Sequence, residues 1–185
     1  MLDFKLIDKN WTLFLDRDGV INYEKPEDYI YNYNEFVFYE GVKEALRFFT
    51  GVFNHIILTT NQRGVGKGLM TEADLDEIHR QMVRDIEAAG GRIDRIYSST
   101  STNDEDPLRK PQPGMAYLAK ADFPQIDFRK SIMVGNNISD MGFGRNTDMY
   151  TVFLRTTHPE LELPRPDIDF AYNSLHDFAK ALHNS

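Results

Sequence analysis

The chain has 185 residues, of which 41% are hydrophobic and 27% are charged, and it contains no cysteine. This composition is typical of one well-cored globular domain, and the lack of cysteine excludes disulfides and thiolate metal sites. The net charge of −8, without a basic stripe, argues against a non-specific nucleic-acid binder. No apolar run approaches membrane-spanning length and the first residues lack the regions of a signal peptide, so we expect a cytoplasmic protein without a membrane partner.

Strand-like and helix-like segments alternate along the chain. Short apolar runs predict buried strands at Trp11–Leu15, Asn54–Thr60, Ile93–Tyr97, Ser131–Val134 and Tyr150–Leu154. Helices are predicted at Gly41–Thr50, from the capping box Thr71–Asp74 to the glycines at 90–91, from Pro113 onward, and at Leu175–Leu182. This alternation predicts one α/β domain over residues 1–185, a three-layer, mostly parallel sheet with helices on both faces.

The first predicted strand ends in the heptapeptide Asp16–Asn22, which carries two carboxylates two residues apart. Ligands bind at the carboxyl ends of the strands in open α/β sheets, and Gly19 lets the backbone turn sharply away. Carboxylates this close repel each other unless a cation lies between them, which suggests Mg²⁺. Such a site is suited to phosphoryl transfer through an aspartyl-phosphate. By itself, the heptapeptide fits a solvated turn equally well.

Polar side chains follow other predicted strands as well. The loop Thr60–Gly68 offers a hydroxyl, side-chain amides and glycines that can bind phosphate oxygens. The segment Arg109–Gly114 places two cations before a helix, where Lys can neutralise a phosphoryl group and Arg can bind a second anionic part of the substrate. The segment Val134–Asp140 adds an amide and a carboxylate. Each feature alone is commonly structural, but together they provide what phosphoryl transfer requires.

These segments resemble the haloacid-dehalogenase superfamily of aspartate-nucleophile phosphatases, in its branch of heptose bisphosphatases and histidinol phosphatases. The matching segments are DRDGVIN at Asp16–Asn22, TNQRGVGKG at Thr60–Gly68, RKPQPGM at Arg109–Met115, VGNNISDM at Val134–Met141 and VFLRT at Val152–Thr156. The resemblance implies a Rossmann-like fold without a large cap domain. It also implies a phosphomonoester hydrolase that requires Mg²⁺.

The resemblance further implies the roles of individual residues. Asp16 would be the nucleophile, and Asp18 the general acid and base, which requires a raised pKa for Asp18. Thr60 and Lys110 would hold the transferring phosphoryl group. The residues that would face the substrate are Asn61, Gln62, Arg63 and Arg109. The metal ligands would come from Asp16, Asp18, Asn136 and Asp140.

Three segments depart from the family's pattern. Asn136 stands where the family carries a metal-binding aspartate, so we expect weaker Mg²⁺ binding, with either Asn136 or Asp140 as the ligand. The segment Ser98–Pro107 replaces a Cys/His zinc loop and contains neither residue, so no structural zinc is expected. Tyr23–Glu27 replaces residues that usually flank the substrate. Because the zinc loop borders the substrate in the family, its loss weakens the inference to a particular sugar.

Aromatic residues are concentrated between Tyr23 and Tyr39, and these form either a wall beside the pocket or a packed loop. We predict packing for Phe36 and Phe38 and leave the tyrosines open. The histidines show no metal-ligand spacing, and we expect surface or helix-end positions for all of them: His55, His79, His158, His176 and His183.

The sequence therefore favours a monomeric phosphatase that acts on a small-molecule phosphate ester. Heptose 1,7-bisphosphate is the first candidate, because Arg109 could bind a second phosphate, and histidinol phosphate is the second. A nucleic-acid 3′-phosphatase is less favoured because the chain is acidic. A non-catalytic phosphate-binding protein is also less favoured, because Asp16, Asp18, Thr60 and Lys110 are all present.

Overall fold

Six parallel strands form one sheet in the computed structural model, which describes residues 2–185. The strands are β1 (Thr12–Leu15), β2 (His55–Asn61), β3 (Arg95–Ser99), β4 (Ser131–Gly135), β5 (Tyr150–Leu154) and β6 (Phe170–Tyr172). The helices are α1 (Val42–Val52), α2 (Arg63–Gly66), α3 (Glu72–Ala88), α4 (Gly114–Asp122), α5 (Ile138–Arg145) and α6 (Leu175–His183). Short 3₁₀ turns occur at Phe4–Leu6, Tyr33–Glu35 and Phe128–Lys130.

The strand order is β3-β2-β1-β4-β5-β6. Strands β2 and β3 therefore lie on one side of β1, and strands β4, β5 and β6 lie on the other. Thr12 of β1 is paired with His55 of β2 on one side and with Ser131 of β4 on the other. The direction of strand order reverses between β1 and β4. In sheets of this kind, the crevice beyond the carboxyl ends at the reversal point is where ligands bind.

A hydrophobic core covers each face of the sheet because successive side chains of a strand point to opposite faces. Leu13 and Leu15 of β1 belong to the core that α1, α3 and α6 cover. Phe14, between them, belongs to the core that α4 and α5 cover, and its ring lies 6.4 Å from that of Phe143. The predicted α/β fold with helices on both faces is confirmed.

Helix α3 begins at the predicted capping box. The backbone N–H of Asp74 donates to the Thr71 hydroxyl at 3.1 Å, and the Thr71 N–H donates back to the Asp74 carboxylate at 2.8 Å. No helix within residues 2–185 combines the length and the hydropathy that crossing a membrane requires.

Several predicted boundaries shift by one or two residues. Helix α1 begins at Val42 because Gly41, at φ +75°, is its N-cap, and the helix continues to Val52. Strand β3 begins at Arg95 rather than at Ile93. Asp94 precedes it, and the Asp94 carboxylate accepts a hydrogen bond from the Ile56 N–H at 2.7 Å.

The aromatic segment packs largely on the body of the protein. Phe36 is buried, and its ring lies 5.0 Å from that of Phe38, which is partly buried on the same core. The prediction for the two phenylalanines is therefore confirmed. The hydroxyl of Tyr33 donates to Asp85 of α3 at 2.9 Å, which ties the segment to that helix.

Candidate active site

The carboxyl ends of β1, β2 and β4 meet at a cavity of about 410 Å³. The predicted site residues that line it are Asp16, Asp18, Asn61, Arg109, Lys110, Asn136 and Asp140. Thr60, Gln62 and Arg63 lie outside its lining. A larger cavity of about 690 Å³ lies along α3 and β3, but it contains none of the predicted site residues. The cavity at the strand ends is therefore the candidate active site.

Lys110 is the buried cation of this cavity. Its Nζ lies 2.8 Å from Asp16 Oδ1 and 2.6 Å from Asp140 Oδ1, and it donates to the Thr59 carbonyl at 2.8 Å. The side chain of Asn61 holds the Lys110 backbone by accepting from its N–H at 3.0 Å and donating to its carbonyl at 3.1 Å. Burial alone would lower the pKa of Lys110, but Asp140 and Asp16 outweigh burial and raise it, so Lys110 stays charged.

Asp16 lines the cavity and is ion-paired with Lys110. Its side chain is 13% exposed. Burial raises the pKa of Asp16 to about 7, although the Lys110 charge opposes that rise. The nearby Asp140 and Asp18 charges contribute further to the increase. A second cation beside Asp16 would therefore favour its ionised form.

Asp18 is held by donors from three side chains. It accepts from Arg17 Nη2 through both oxygens at 2.9 Å, from Asn22 at 2.9 Å and from Gln62 at 2.8 Å. Burial alone would raise the pKa of Asp18, but Arg17 and these hydrogen bonds outweigh burial and lower it below 3.8. The expectation of a raised pKa for Asp18 is therefore wrong for this structure, because its neighbours stabilise the ionised form.

Arg17 is itself buried and contacts a histidine on α3. Its side chain is 1% exposed, and Arg17 Nη1 lies 3.1 Å from His79 Nε2. Burial and the Arg17 charge lower the pKa of His79 to about 3, so the neutral ring can accept a hydrogen bond from Arg17. The expected surface position of His79 is therefore wrong. The signal was present in the sequence, because His79 follows Leu75 by four residues and precedes Met82 by three, on the buried face of α3.

Gln62 and Thr60 are hydrogen-bonded to each other, and Gln62 also contacts Asp18. Gln62 Nε2 donates to Asp18 at 2.8 Å and to the Thr60 hydroxyl at 2.7 Å, and both residues are buried. Gln62 is a candidate substrate contact on sequence grounds, but here it links Thr60 to Asp18. Arg63 and Arg109 both contact Asp104 at the edge of the site, with Arg109 Nε 3.1 Å from the Asp104 carboxylate.

Asn136 offers a free oxygen to a metal ion. Its Nδ2 donates to the Thr157 hydroxyl at 2.7 Å and to Glu24 at 3.4 Å, which orients the amide. Its Oδ1 is buried and has no hydrogen-bond partner among residues 2–185. Asn136 also packs against Gly19, where a Cβ would lie 2.8 Å from Oδ1.

This oxygen and the two carboxylates fit Mg²⁺, which prefers oxygen ligands. Within residues 2–185, no group of three or more His, Cys, Asp or Glu side chains is arranged to hold a metal ion. The candidate oxygen donors for a metal ion that line the cavity are Asp16, Asp18 and the Asn136 amide.

Asp140 is a candidate metal ligand on sequence grounds, but both of its oxygens have other contacts. Oδ1 lies against Lys110, and Oδ2 accepts from the Asn137 N–H at 3.0 Å in a capping box that begins α5. Gly135 makes this approach possible, since a Cβ there would lie 2.2 Å from the Asp140 Cβ. These contacts favour a role for Asp140 in positioning Lys110.

Three residues to which the sequence assigned no individual role lie in or beside the site. Glu24 lines it, and burial raises the pKa of Glu24. Thr157, directly after the VFLRT segment, orients Asn136. Tyr29 lines a smaller cavity of about 160 Å³ together with Asp18 and Gln62, so the aromatic segment borders the site through this tyrosine.

Comparisons with known proteins identify the family and the fold of the chain. A family model described as polynucleotide kinase 3 phosphatase matches residues 5–180. The chain is 36% identical over 146 residues to D-glycero-alpha-D-manno-heptose-1,7-bisphosphate 7-phosphatase of Campylobacter jejuni, covering 79% of this chain and 83% of that protein. It is 31% identical over 180 residues to D-glycero-beta-D-manno-heptose-1,7-bisphosphate 7-phosphatase of Salmonella typhi, covering 92% of this chain and 94% of that protein. Among solved structures, the chain is similar to D,D-heptose 1,7-bisphosphate phosphatase from B. bronchiseptica, which was crystallised in complex with magnesium and phosphate. The two structures superpose with a TM-score of 0.83 at 25% sequence identity, and the match covers 94% of this chain and 98% of that one.

Proposed function

The chain belongs to the polynucleotide kinase 3 phosphatase family, and from that premise we propose that it is a Mg²⁺-dependent phosphatase of a small sugar phosphate. Heptose 1,7-bisphosphate is the first candidate substrate, because the two relatives described above carry that activity in their names and match most of this chain. The observation that carries the proposal is the placement of Asp16 at the end of β1, 2.8 Å from the buried Lys110, in an open cavity that Asp18 also lines.

Asp16 acts as the nucleophile in this proposal. Its carboxylate attacks phosphorus in line with the departing ester oxygen, forming an aspartyl-phosphate and releasing the sugar alkoxide. Lys110 lies beside the attacking carboxylate and offsets the negative charge of the phosphoryl oxygens. Because Lys110 is already fixed by Asp140, Thr59 and Asn61, little reorganisation is needed when charge develops.

Asp18 transfers the proton. In the protein without substrate, Arg17 and Gln62 keep Asp18 ionised. A phosphate ester brings negative charge next to this carboxylate, which raises its pKa and favours its protonated form. Asp18 then protonates the leaving alkoxide, and in the second step it accepts a proton from the water that hydrolyses the aspartyl-phosphate.

Asp16, Asp18 and Asn136 would hold the metal ion. When bound there, Mg²⁺ supplies positive charge that neutralises the carboxylates and the phosphoryl oxygens. The free Oδ1 of Asn136 supports this assignment over Asp140.

Replacing Asn136 with aspartate is expected to tighten Mg²⁺ binding about tenfold, because a carboxylate adds a charge that the amide lacks. The Thr157 hydroxyl can donate to the new carboxylate in place of accepting from the amide. Calorimetric titration with MgCl₂ measures the dissociation constant. Asn137→Asp, which adds the same charge one residue along the cavity wall, is the control and should change the constant less than threefold. Unchanged or weaker binding by Asn136→Asp would argue against Asn136 as a ligand.

Steady-state rates on a panel of esters test the proposed substrate. The panel holds both anomers of heptose 1,7-bisphosphate, histidinol phosphate, other sugar phosphates and a 3′-phosphorylated oligonucleotide, all with Mg²⁺. We expect kcat/KM above about 10⁴ M⁻¹s⁻¹ for one heptose bisphosphate anomer and much lower values for the rest. A preference for the oligonucleotide or for histidinol phosphate would replace the proposed substrate, while uniformly negligible rates would contradict the phosphatase proposal.

A further inference from the structure

Asp104 lies between two arginines at the edge of the active-site cavity. Its Oδ1 is 3.1 Å from Arg109 Nε, and the same oxygen contacts Nη2 of Arg63. The Asp104 side chain is 80% exposed, whereas the side chains of Arg109 and Arg63 are 14% and 28% exposed. An exposed carboxylate on a surface loop therefore contacts two cations that are largely held within the protein.

The two arginines are arranged to hold an anion. Arg63 begins α2 directly after Gln62, which donates to Asp18, and Arg109 comes directly before Lys110, so each arginine is the chain neighbour of a residue that contacts an active-site carboxylate. Guanidinium groups bind carboxylate and phosphate oxygens through directed N–H donors. The Nε of Arg63 is buried and has no hydrogen-bond partner among residues 2–185, so this arginine retains a donor that Asp104 does not use.

Asp104 and Arg109 line the same cavity as Asp16 and Lys110. A substrate whose phosphoryl group lies at Asp16 could therefore extend toward Arg109, but the Asp104 carboxylate already contacts that arginine. A second anionic group on the substrate would compete with Asp104 for the same donors.

Building on the proposed function, and on the expected substrate contacts of Arg63 and Arg109, we infer that Asp104 is a specificity residue. It occupies the subsite that these two arginines offer to a second anionic group until the substrate displaces it. A phosphate dianion carries more negative charge than the Asp104 carboxylate that it replaces, whereas a substrate carboxylate carries the same charge as Asp104. The subsite therefore favours a second phosphate. Esters with a single phosphate do not need to displace Asp104 and gain nothing from the arginines.

Three glucose derivatives and the Asp104→Asn variant test this inference. Removing the Asp104 charge should lower KM for glucose 1,6-bisphosphate about threefold to tenfold, because competition for the arginines is lost. KM for glucose 6-phosphate should stay within about twofold. An equal fall for 6-phosphogluconate would identify a general anion subsite, and a fall for the bisphosphate alone would identify a phosphate subsite; both results support the inference.

Matched variants separate this effect from a general change in charge. Glu105→Gln removes the same charge from the next residue, which is exposed and contacts neither arginine, so the three KM values should not move. In an Arg109→Met background, Asp104→Asn should no longer lower KM for the bisphosphate. The inference is overturned if Asp104→Asn leaves KM for the bisphosphate unchanged, raises it, or lowers it in parallel with that for glucose 6-phosphate.

Binding measurements separate this inference from the proposed activity. Calorimetry on Asp16→Asn, with and without Asp104→Asn, gives the dissociation constants of the three compounds without turnover. Tighter bisphosphate binding by the double variant would support the subsite even if the parent protein hydrolyses no ester. Turnover by the parent protein, together with identical binding by the two variants, would support the activity and reject the subsite.

Discussion

Asp16→Asn is expected to lower phosphate ester hydrolysis by at least about 10⁴-fold, because the amide cannot form the aspartyl-phosphate. The other carboxylates near Lys110 do not offer a replacement. Asp140 is fully buried against Lys110 and the start of α5, and Asp18 is held by Arg17. Hydrolysis of p-nitrophenyl phosphate with Mg²⁺ measures the effect. Asp148→Asn, at an exposed position after α5, is the matched control and should retain the parent rate. Activity near the parent level in Asp16→Asn would remove Asp16 from the role of nucleophile.

The same variant should change how stability depends on pH. The pKa of Asp16 is about 7 in the folded protein, compared with an ordinary value of 3.8 that applies to the unfolded chain. Between about pH 4 and pH 7, Asp16 therefore carries a proton in the folded state but not in the unfolded chain. The contribution of Asp16 to stability is therefore full below pH 4 and is lost as pH rises through 7. Asparagine does not titrate, so the variant should lack this loss. Urea unfolding in EDTA at pH 5 and pH 8 measures the difference, and a steeper decline in the variant would contradict the raised pKa.

Lys110→Met is expected to lower both activity and stability. Methionine retains much of the length of the side chain but leaves Asp16 and Asp140 in the interior without their shared cation. Loss of one partner from a buried ion pair costs about 3–5 kcal/mol of unfolding free energy. The rate should fall about 10³-fold, because a fixed donor to the phosphoryl oxygens is removed. Urea unfolding in EDTA at pH 8 and hydrolysis of p-nitrophenyl phosphate measure the two effects.

Lys130→Met is the control for this prediction, because Lys130 is exposed at the end of a 3₁₀ turn and makes no ion pair within residues 2–185. It should change stability by less than about 0.5 kcal/mol. The destabilisation by Lys110→Met should also shrink at pH 5, where Asp16, whose pKa is about 7, is protonated and no longer needs the cation. A loss below about 1 kcal/mol at pH 8 would show that Lys110 does not hold the two carboxylates together.

The sequence by itself determined the α/β fold and the edge of the sheet that carries the chemistry. Apolar runs and helical spacing are local signals, and the capping box at Thr71–Asp74 is formed by neighbouring residues. Parallel pairing then brings the carboxyl ends of β1, β2 and β4 to one edge, whatever the details of packing. Asp16, Asn61 and Asn136 could therefore be expected together although they are far apart in the chain.

Only the tertiary structure decided how these groups are partnered. Arg17 and His79 are 62 residues apart, Arg63 and Asp104 are 41 apart, and no sequence spacing predicts which atoms meet. The pKa of Asp18 has the opposite direction from the expected one, because burial is outweighed by an arginine 2.9 Å away. Local patterns determine which elements form and where they end. The charge and hydrogen bonding of each side chain depend on distances of a few ångströms, which only packing of the whole chain sets.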